Sequence, residues 1–210
     1  MDDLRQSATG SAPWRGGVCL NGWIYVLGGN IGFSATTTVW RSQVLAGGAN
    51  GAFEVVTELG GTPDVVLATK RAFHSVHVVV VAGRGDGTTL ASVEYARING
   101  DGTMQPFTID NSPVPTPRRE HDGDVVGSTI YITGGSDGTD PLGDVPSVAI
   151  AGSCTAGTGI CLAAWSSIAD FGSVTAPRYG HSTVAYQNWL YLVGGWDGAA
   201  TISDAWFIDP

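Results

Sequence analysis

The stretch WLYLVGGWDG, residues 189–198, decides the fold. Its first half is an apolar run with aromatics, made of residues that favour strands. It ends in Gly194-Gly195, and after one more residue Asp197-Gly198 offers a turn. Three other segments, IYVLGGNIG (24–32), VVVVAGRGDG (78–87) and IYITGGSDG (130–138), align with it without gaps. The first glycines of the pair, Gly28, Gly83, Gly134 and Gly194, are 55, 51 and 60 residues apart. Gly29, Gly135 and Gly195 are the second members, and in the second copy the pair reads Gly83-Arg84.

The flanks repeat as well. Upstream stands an Arg three residues before a His: Arg71/His74, Arg118/His121 and Arg178/His181. The first copy keeps the length but has Arg15 in the His position. In the second copy the Arg lies 12 residues before its first glycine, against 16 in the third and fourth, so its hairpin turn is expected to be tighter. Downstream come a third strand (TTTVWRSQVL, LASVEYARI, DVPSVAIAG, TISDAWFID), turn residues, and a short fourth strand. Each copy therefore reads as a four-stranded antiparallel meander. A sheet of that size cannot bury both faces alone, and radial stacking of copies solves the problem.

The Tyr-x-x-Gly-Gly runs (Tyr25, Tyr131, Tyr191), the Arg-x-x-His starts and the aromatics near the third strand (Trp40, Tyr95, Trp206) resemble the kelch repeat, whose period is about fifty residues. The resemblance implies an all-β fold, a β-propeller of kelch type with four blade repeats, the last incomplete. The expected repeats span approximately 11–58, 68–110, 115–170 and 175–210 of a single domain. Phe53, Phe107 and Trp165 stand where kelch blades usually open the fourth strand with tryptophan. Four repeats make a small propeller. Three closures are open: a ring completed by the N-terminal residues, association of two chains, or a longer protein of which this is a piece, the last being favoured.

Composition narrows the function classes. Among 210 residues there are 31 glycines, and the net charge is -9. An acidic chain is a poor partner for nucleic acid or an anionic membrane surface. No apolar run approaches a transmembrane helix, and MDDLRQSATG lacks the regions of a signal peptide. Cys154 and Cys161 bracket a glycine-rich segment and are a candidate disulfide, with two free thiols as the alternative. Cys19, in an apolar strand, reads as a small buried residue. Localisation stays undetermined, the bridge and the acidic, lysine-poor composition leaning towards an extracellular or periplasmic protein.

Four sets of residues are candidates for a site. The Arg-x-x-His series recurs in every copy that has it, which favours a structural task, bonding backbone groups between neighbouring blades; the functional alternative is a ring around the channel that binds an anion or sugar. A second set breaks the repeat: beside the His stand Gly16, Ser75, Asp122 and Ser182, and two residues further along Val18, His77, Asp124 and Val184. His77, Asp122 and Asp124 are a candidate polar patch, or else they are solvated or pair with Arg118 or Arg119. Third, the loops after the glycines present Asp86-Gly87, Asp137-Gly138 and Asp197-Gly198. Trp196, aligned with Asn30, Gly85 and Ser136, is the residue in them that the repeat does not dictate, and an aromatic there can stack on a sugar or anchor a partner. The Arg84-Gly85-Asp86 tripeptide matches an adhesion motif only in three residues. Fourth, no nucleophile elbow, phosphate loop, metal-ligand cluster or copper ligand set stands out, and no cofactor is expected.

The preferred reading is a non-catalytic module that binds a protein or a glycan through its loops, with self-association or further blades from a longer chain as additional partners. The alternative is part of a propeller enzyme acting on carbohydrate, galactose-oxidase-like or otherwise sugar-active, with His77, Asp122 and Asp124 as acid–base groups.

Overall fold

The computed structural model describes residues 16–31, 34–56, 66–76, 79–99, 101–151, 161–168 and 176–210. The described residues form antiparallel sheets and no helix, as the glycine-rich, β-branched sequence predicts. Unit 1 contains β1 (Gly16–Leu20), β2 (Trp23–Leu27), the short β3 (Asn30–Ile31), β4 (Ser34–Gln43) and β5 (Glu54–Val55), with β6 (Val66–Arg71) crossing from it into the next unit. Unit 2 contains β7 (Ser75–Val76), β8 (Val80–Arg84), β9 (Thr89–Tyr95) and β10 (Thr108–Ile109). Unit 3 contains β11 (Asp122–Val126), β12 (Thr129–Thr133), β13 (Val145–Ala151), β14 (Cys161–Leu162) and β15 (Ser166–Ile168). Unit 4 contains β16 (Ser182–Tyr186), β17 (Trp189–Val193) and β18 (Ala205–Ile208). Units 1 to 3 are four-stranded meanders, in the orders β1-β2-β4-β5, β7-β8-β9-β10 and β11-β12-β13-β15, and unit 4 has three strands. Phe53, Phe107 and Trp165 each stand one residue before the fourth strand.

Local sequence explains the hairpins. Asn21 and Gly22, at φ 52° and 77°, and Gln187 and Asn188, at 49° and 67°, form two-residue turns with positive φ at both positions. That twist matches the strands on either side. The hairpins of units 1, 3 and 4 pair over five positions, whereas β7 and β8 pair over two, Ser75 with Val81 and Val76 with Val80. The shorter second copy is thus a truncated hairpin.

The pairing corrects the register of that copy. The second glycines share one backbone conformation, φ 100° at Gly29, 101° at Gly135 and 107° at Gly195, and Gly83 has it too at 102°. The first-glycine conformation, 57°, 49° and 68° at Gly28, Gly134 and Gly194, is taken in unit 2 by Ala82 at 51°. The pair is therefore Ala82-Gly83, not Gly83-Arg84. The gapless alignment was misled by Arg-Gly-Asp-Gly, which places an Asp-Gly one residue late. Gly85, not Asp86, occupies the turn position of Asp137 and Asp197: Gly85 N donates to Thr88 O as Asp137 N does to Asp140 O and Asp197 N to Ala200 O. Arg84, not Gly85, is then the counterpart of Asn30, Ser136 and Trp196, and Ala72–Arg84, Arg119–Ser136 and Tyr179–Trp196 form equivalent bridges.

The core lies between units rather than within them. Tyr25, Leu27, Val39 and Val56 of unit 1 pack with Leu67, Val80, Ala96 and Met104. Val79, Val81 and Val93 of unit 2 pack with Ile130, Ile132 and Val148 of unit 3. Leu190 and Leu192 of unit 4 are buried as well. Each such side chain stabilises by about 1.5–3 kcal/mol when buried, so stacking is what makes a single blade sheet stable. Alternation along β1 sends Val18 and Leu20 into this core and turns Gly17 and Cys19 the other way. Cys19 is consequently exposed and free, not buried as its apolar neighbours suggest. Among the described residues, β1 packs on β7 and β11 on β16, while no strand pairing joins unit 1 to unit 4.

Candidate functional site

The Arg-x-x-His arginines are the keystones of the stack. Arg118, fully buried, donates from Nη1 to Gly134 O at 2.8 Å and grips Asp144 through two bonds of 3.0 and 2.8 Å. Arg178 repeats this on Gly194 O at 3.0 Å and Asp204 at 2.7 and 3.4 Å. Arg71 reaches Ala82 O at 2.9 Å and, because Ser92 stands where Asp144 does, pairs with the buried Glu94 two residues further along. A guanidinium fork suits such paired acceptors. These side chains bind within their own unit, contrary to the expectation that they reach between blades. The main chain does the reaching: Gly29, Gly83 and Gly135 N–H each donate, at 2.8 Å, to the carbonyl of Arg71, Arg118 and Arg178 in the following unit. The acids Glu94, Asp144 and Asp204 were missed by sequence reasoning. A signal existed, since Asp144 and Asp204 both follow their arginine by 26 residues.

The histidines span the junctions. A methyl on Gly28 would stand 3.0 Å from the His74 ring carbon, and one on Gly134 would stand 3.0 Å from that of His181. Each imidazole thus packs on the first glycine of the preceding unit, where a side chain would meet both this close approach and a positive φ, although unit 2 carries Ala82 at the equivalent position. His181 Nε2 meets Thr133 Oγ1 at 2.8 Å. Burial, reinforced by the adjacent Arg71, pushes His74 down to about 3, against a smaller opposite effect of the Leu27 backbone. Burial, then Arg178, pushes His181 down to about 4. Both rings are neutral at physiological pH. His121 sits at the same place in unit 3, immediately before β11, and is buried.

The ionisable residues that break the repeat also work at a junction. Asp122 Oδ2 accepts the Thr183 N–H at 2.7 Å, and Asp124 Oδ2 accepts the Ala185 N–H at 2.7 Å. Both carboxylates reach from β11 to the outward N–H groups of β16, so a strand edge is capped by side chains where no neighbouring strand pairs with it. Neither pairs with Arg118 or Arg119. Burial raises the Asp122 carboxyl above its ordinary value; the N–H groups of Thr183 and Gly123 oppose this, and Asp124 adds to it. His77, the third member of the expected patch, lies outside the described residues.

The loops after the glycines of units 3 and 4 are closed by their aspartates. Asp137 Oδ1 accepts the N–H groups of Thr139 and Asp140 at 2.7 and 2.8 Å, and Asp197 Oδ1 those of Ala199 and Ala200 at 2.7 and 2.6 Å. These bonds hold both exposed carboxylates below their ordinary value, the more distant N–H in each loop having the larger effect. Asp86 instead accepts Ala35 N–H at 3.0 Å and lies near Lys70 at 3.4 Å. Trp196 is bridged through its backbone to Tyr179 on one side and Thr201 on the other, with its residue 37% exposed. Tyr25 is buried, and its hydroxyl donates to Gly102 O at 3.1 Å. Tyr131 and Tyr191, equivalent to it, are half-buried. Cys154 and the Cys161 side chain lie outside the described residues. Among the described residues no group of three or more His, Cys, Asp or Glu is placed to hold a metal ion, and no helix is long and apolar enough to cross a membrane.

Repeated antiparallel meanders, stacked face to face and locked by an Arg–acid–glycine motif, define a β-propeller of blade repeats. The family profile described as the Kelch motif matches residues 177–210, the Arg178/His181 start, the glycine pair and the third strand of unit 4. Residues 177–210 thus carry a kelch motif, and the all-β units before them are consistent with a kelch-type propeller. No curated protein matches it.

Proposed function

We propose that the chain is a non-catalytic interaction module that binds a protein or glycan ligand through the loops following its glycine positions. The observation that carries this reading is how its polar groups are used. Arg71, Arg118, Arg178, His74, His181, Asp122 and Asp124 all engage partners or pack inside the stack. Trp196, in contrast, is presented on a loop pinned on both sides. The equivalent positions hold four different residues, Asn30, Arg84, Ser136 and Trp196, and the last three share one bridged backbone. Variation on a fixed scaffold is how loop surfaces acquire ligands. The Kelch motif match supports a protein partner in general, and the exposed indole supports stacking on a sugar ring. The carbohydrate-active alternative relied on His77, Asp122 and Asp124; the engagement of Asp122 and Asp124 by backbone N–H groups of unit 4 weighs against it, while His77 lies outside the described residues.

The test pairs a pull-down and a glycan array with Trp196→Ala. The expected result is a ligand whose affinity falls at least about tenfold in the variant, with stability changed by no more than about 1 kcal/mol. A ligand that binds both proteins equally would sink the loop reading.

A further inference from the structure

We propose that the junction of units 2 and 3 binds the carboxylate of a uronic acid unit in a glycan, held by Arg84 and Arg119. The inference rests on the reading that the end of the stack carrying the loops after the glycines is the ligand face. Both arginines stand at positions the repeat leaves free. Arg84 is the counterpart of Asn30, Ser136 and Trp196, and Arg119 is the counterpart of Ala72 and Tyr179. Each is fixed through its backbone in one of the equivalent bridges, Ala72–Arg84 and Arg119–Ser136. Trp196 is fixed the same way on Tyr179, so the three side chains belong to one end of the stack.

The junction brings the two arginines together. Gly83 N donates to Arg118 O at 2.8 Å, and Arg84 and Arg119 are the residues that follow these two. Thr89 is the cross-strand partner of Arg84, and a methyl on Gly138 would stand 2.8 Å from the Thr89 hydroxyl. Gly138 is also where Arg119 reaches, its Nη2 lying 3.5 Å from the Gly138 carbonyl. Two positive side chains thus border one small patch around Thr89 and Gly138.

The patch lacks a matching negative charge. Arg41, Lys70, Arg71, Arg118 and Arg178 each lie against an acid. Arg84 is half-buried, yet no acid among the described residues pairs with it, and its Nε is buried without a hydrogen bond. The Nε of Arg119 is buried without one as well, with Glu120 Oε1 3.7 Å away. Asp137, held low first by its loop N–H groups, also feels the Arg119 charge. A partly buried cation without a counter-charge is costly, and two side by side repel. An anion between them relieves both costs, and a carboxylate matches the guanidinium fork. The surroundings choose among carboxylates. The chain carries a net charge of -9, and Glu120 and Asp137 flank the patch, so a peptide with several carboxylates is repelled. A uronic acid unit brings one carboxylate on a ring of hydroxyls, which can donate to Glu120 and Asp137. The exposed indole of Trp196 at the same end suits a further sugar ring of the same glycan.

The test titrates the isotope-labelled full chain with sodium glucuronate, glucose, inorganic phosphate and a diglutamate peptide. The readout is the side-chain Nε–H signals of Arg84 and Arg119, whose burial slows their exchange with water. Glucuronate is expected to shift both signals saturably, and the other three probes to bind at least about tenfold more weakly. Arg84→Gln and Arg119→Gln should each weaken glucuronate binding at least about tenfold, the loss of one charge-assisted contact. Arg84→Gln should leave the urea midpoint unchanged or raised, because no protein acceptor loses its donor. A midpoint lowered as far as by Arg118→Met would make Arg84 a structural residue and overturn the proposal. Equal binding of phosphate would mean an unselective anion site, and tighter binding of the peptide a protein partner. A glucuronate response that survives both substitutions would mean another site. Each of these overturns the proposal. A neutral ligand that depends on Trp196, with no response to glucuronate, overturns it too while the loop reading stands.

Discussion

Mild acid should weaken this stack through its buried histidines. His74 and His181 are buried, 6% and 7% exposed, and are held neutral at about 3 and about 4. In the unfolded chain each titrates near its ordinary value of about 6.5. The unfolded state therefore binds protons first, and the stability these rings contribute is complete above pH 6.5 and falls as pH drops toward their folded values. At pH 5.5 each histidine costs about 1.4 kcal/mol relative to pH 7.5, and together about 3 kcal/mol. That is a large part of the ~5–15 kcal/mol typical of a folded domain. The window is clean because Asp137, Asp197 and Asp204 are held below the ordinary carboxylate value and lose stability only in stronger acid. Asp122 is raised and acts in the opposite direction, gaining as pH falls through its folded value, so it offsets part of this loss. Urea titrations followed by tryptophan fluorescence at pH 7.5, 6.5, 5.5 and 5.0 read the loss directly at constant m-value. His181→Gln keeps a polar group near Thr133 and removes one titration, and should cut the pH slope by about half. Equal stability at pH 7.5 and 5.5 would refute the claim that these rings are buried neutral at the junctions.

Two further expectations concern the keystones. Gly134→Ala and Gly194→Ala both place a side chain at positive φ, 49° and 68°. Only the first also sets a methyl 2.5 Å from the Arg178 carbonyl, the nearest atom at Gly194 being Ile202 O at 3.5 Å. Gly134→Ala should be the worse by at least about 1–2 kcal/mol in the same urea assay, and equal costs would mean that unit 4 does not seat on unit 3 as described. Arg118→Met leaves Asp144 without its bidentate partner and the Gly134 carbonyl without a donor. It should destabilise by about 3 kcal/mol or more, while a loss below about 1 kcal/mol would reduce the Arg–Asp pair to a surface interaction.

The repeat and its strands were legible from WLYLVGGWDG outward because both are local. Strand propensity, alternation and the need for positive φ at Gly28, Gly134 and Gly194 are written in adjacent residues. The unit 2 register was not, because Ala82 accepts a conformation that sequence reading assigns to glycine, and the φ values needed to see this exist only in the folded backbone. The roles of Asp122 and Asp124 were hidden for a different reason. Their partners are backbone N–H groups of Thr183 and Ala185, both 61 residues away, and a main-chain donor leaves no mark in the sequence. Cys19 was misjudged because apolar neighbours on both sides suggest burial, whereas the face it occupies is decided by which units stack on which.

Sequence alone determined the blade: its period, its strand order, and the arginines, histidines and most of the glycines at its junctions. Tertiary structure decided what each of those residues touches, since the arginine side chain binds its own unit while its carbonyl binds the one before. It also decided which strand residues are exposed, Cys19 on β1 and Val184 and Phe207 in unit 4. The physical reason is that propensity and backbone conformation are properties of a few consecutive residues, whereas burial and hydrogen bonding across a junction belong to pairs of units fifty or sixty residues apart.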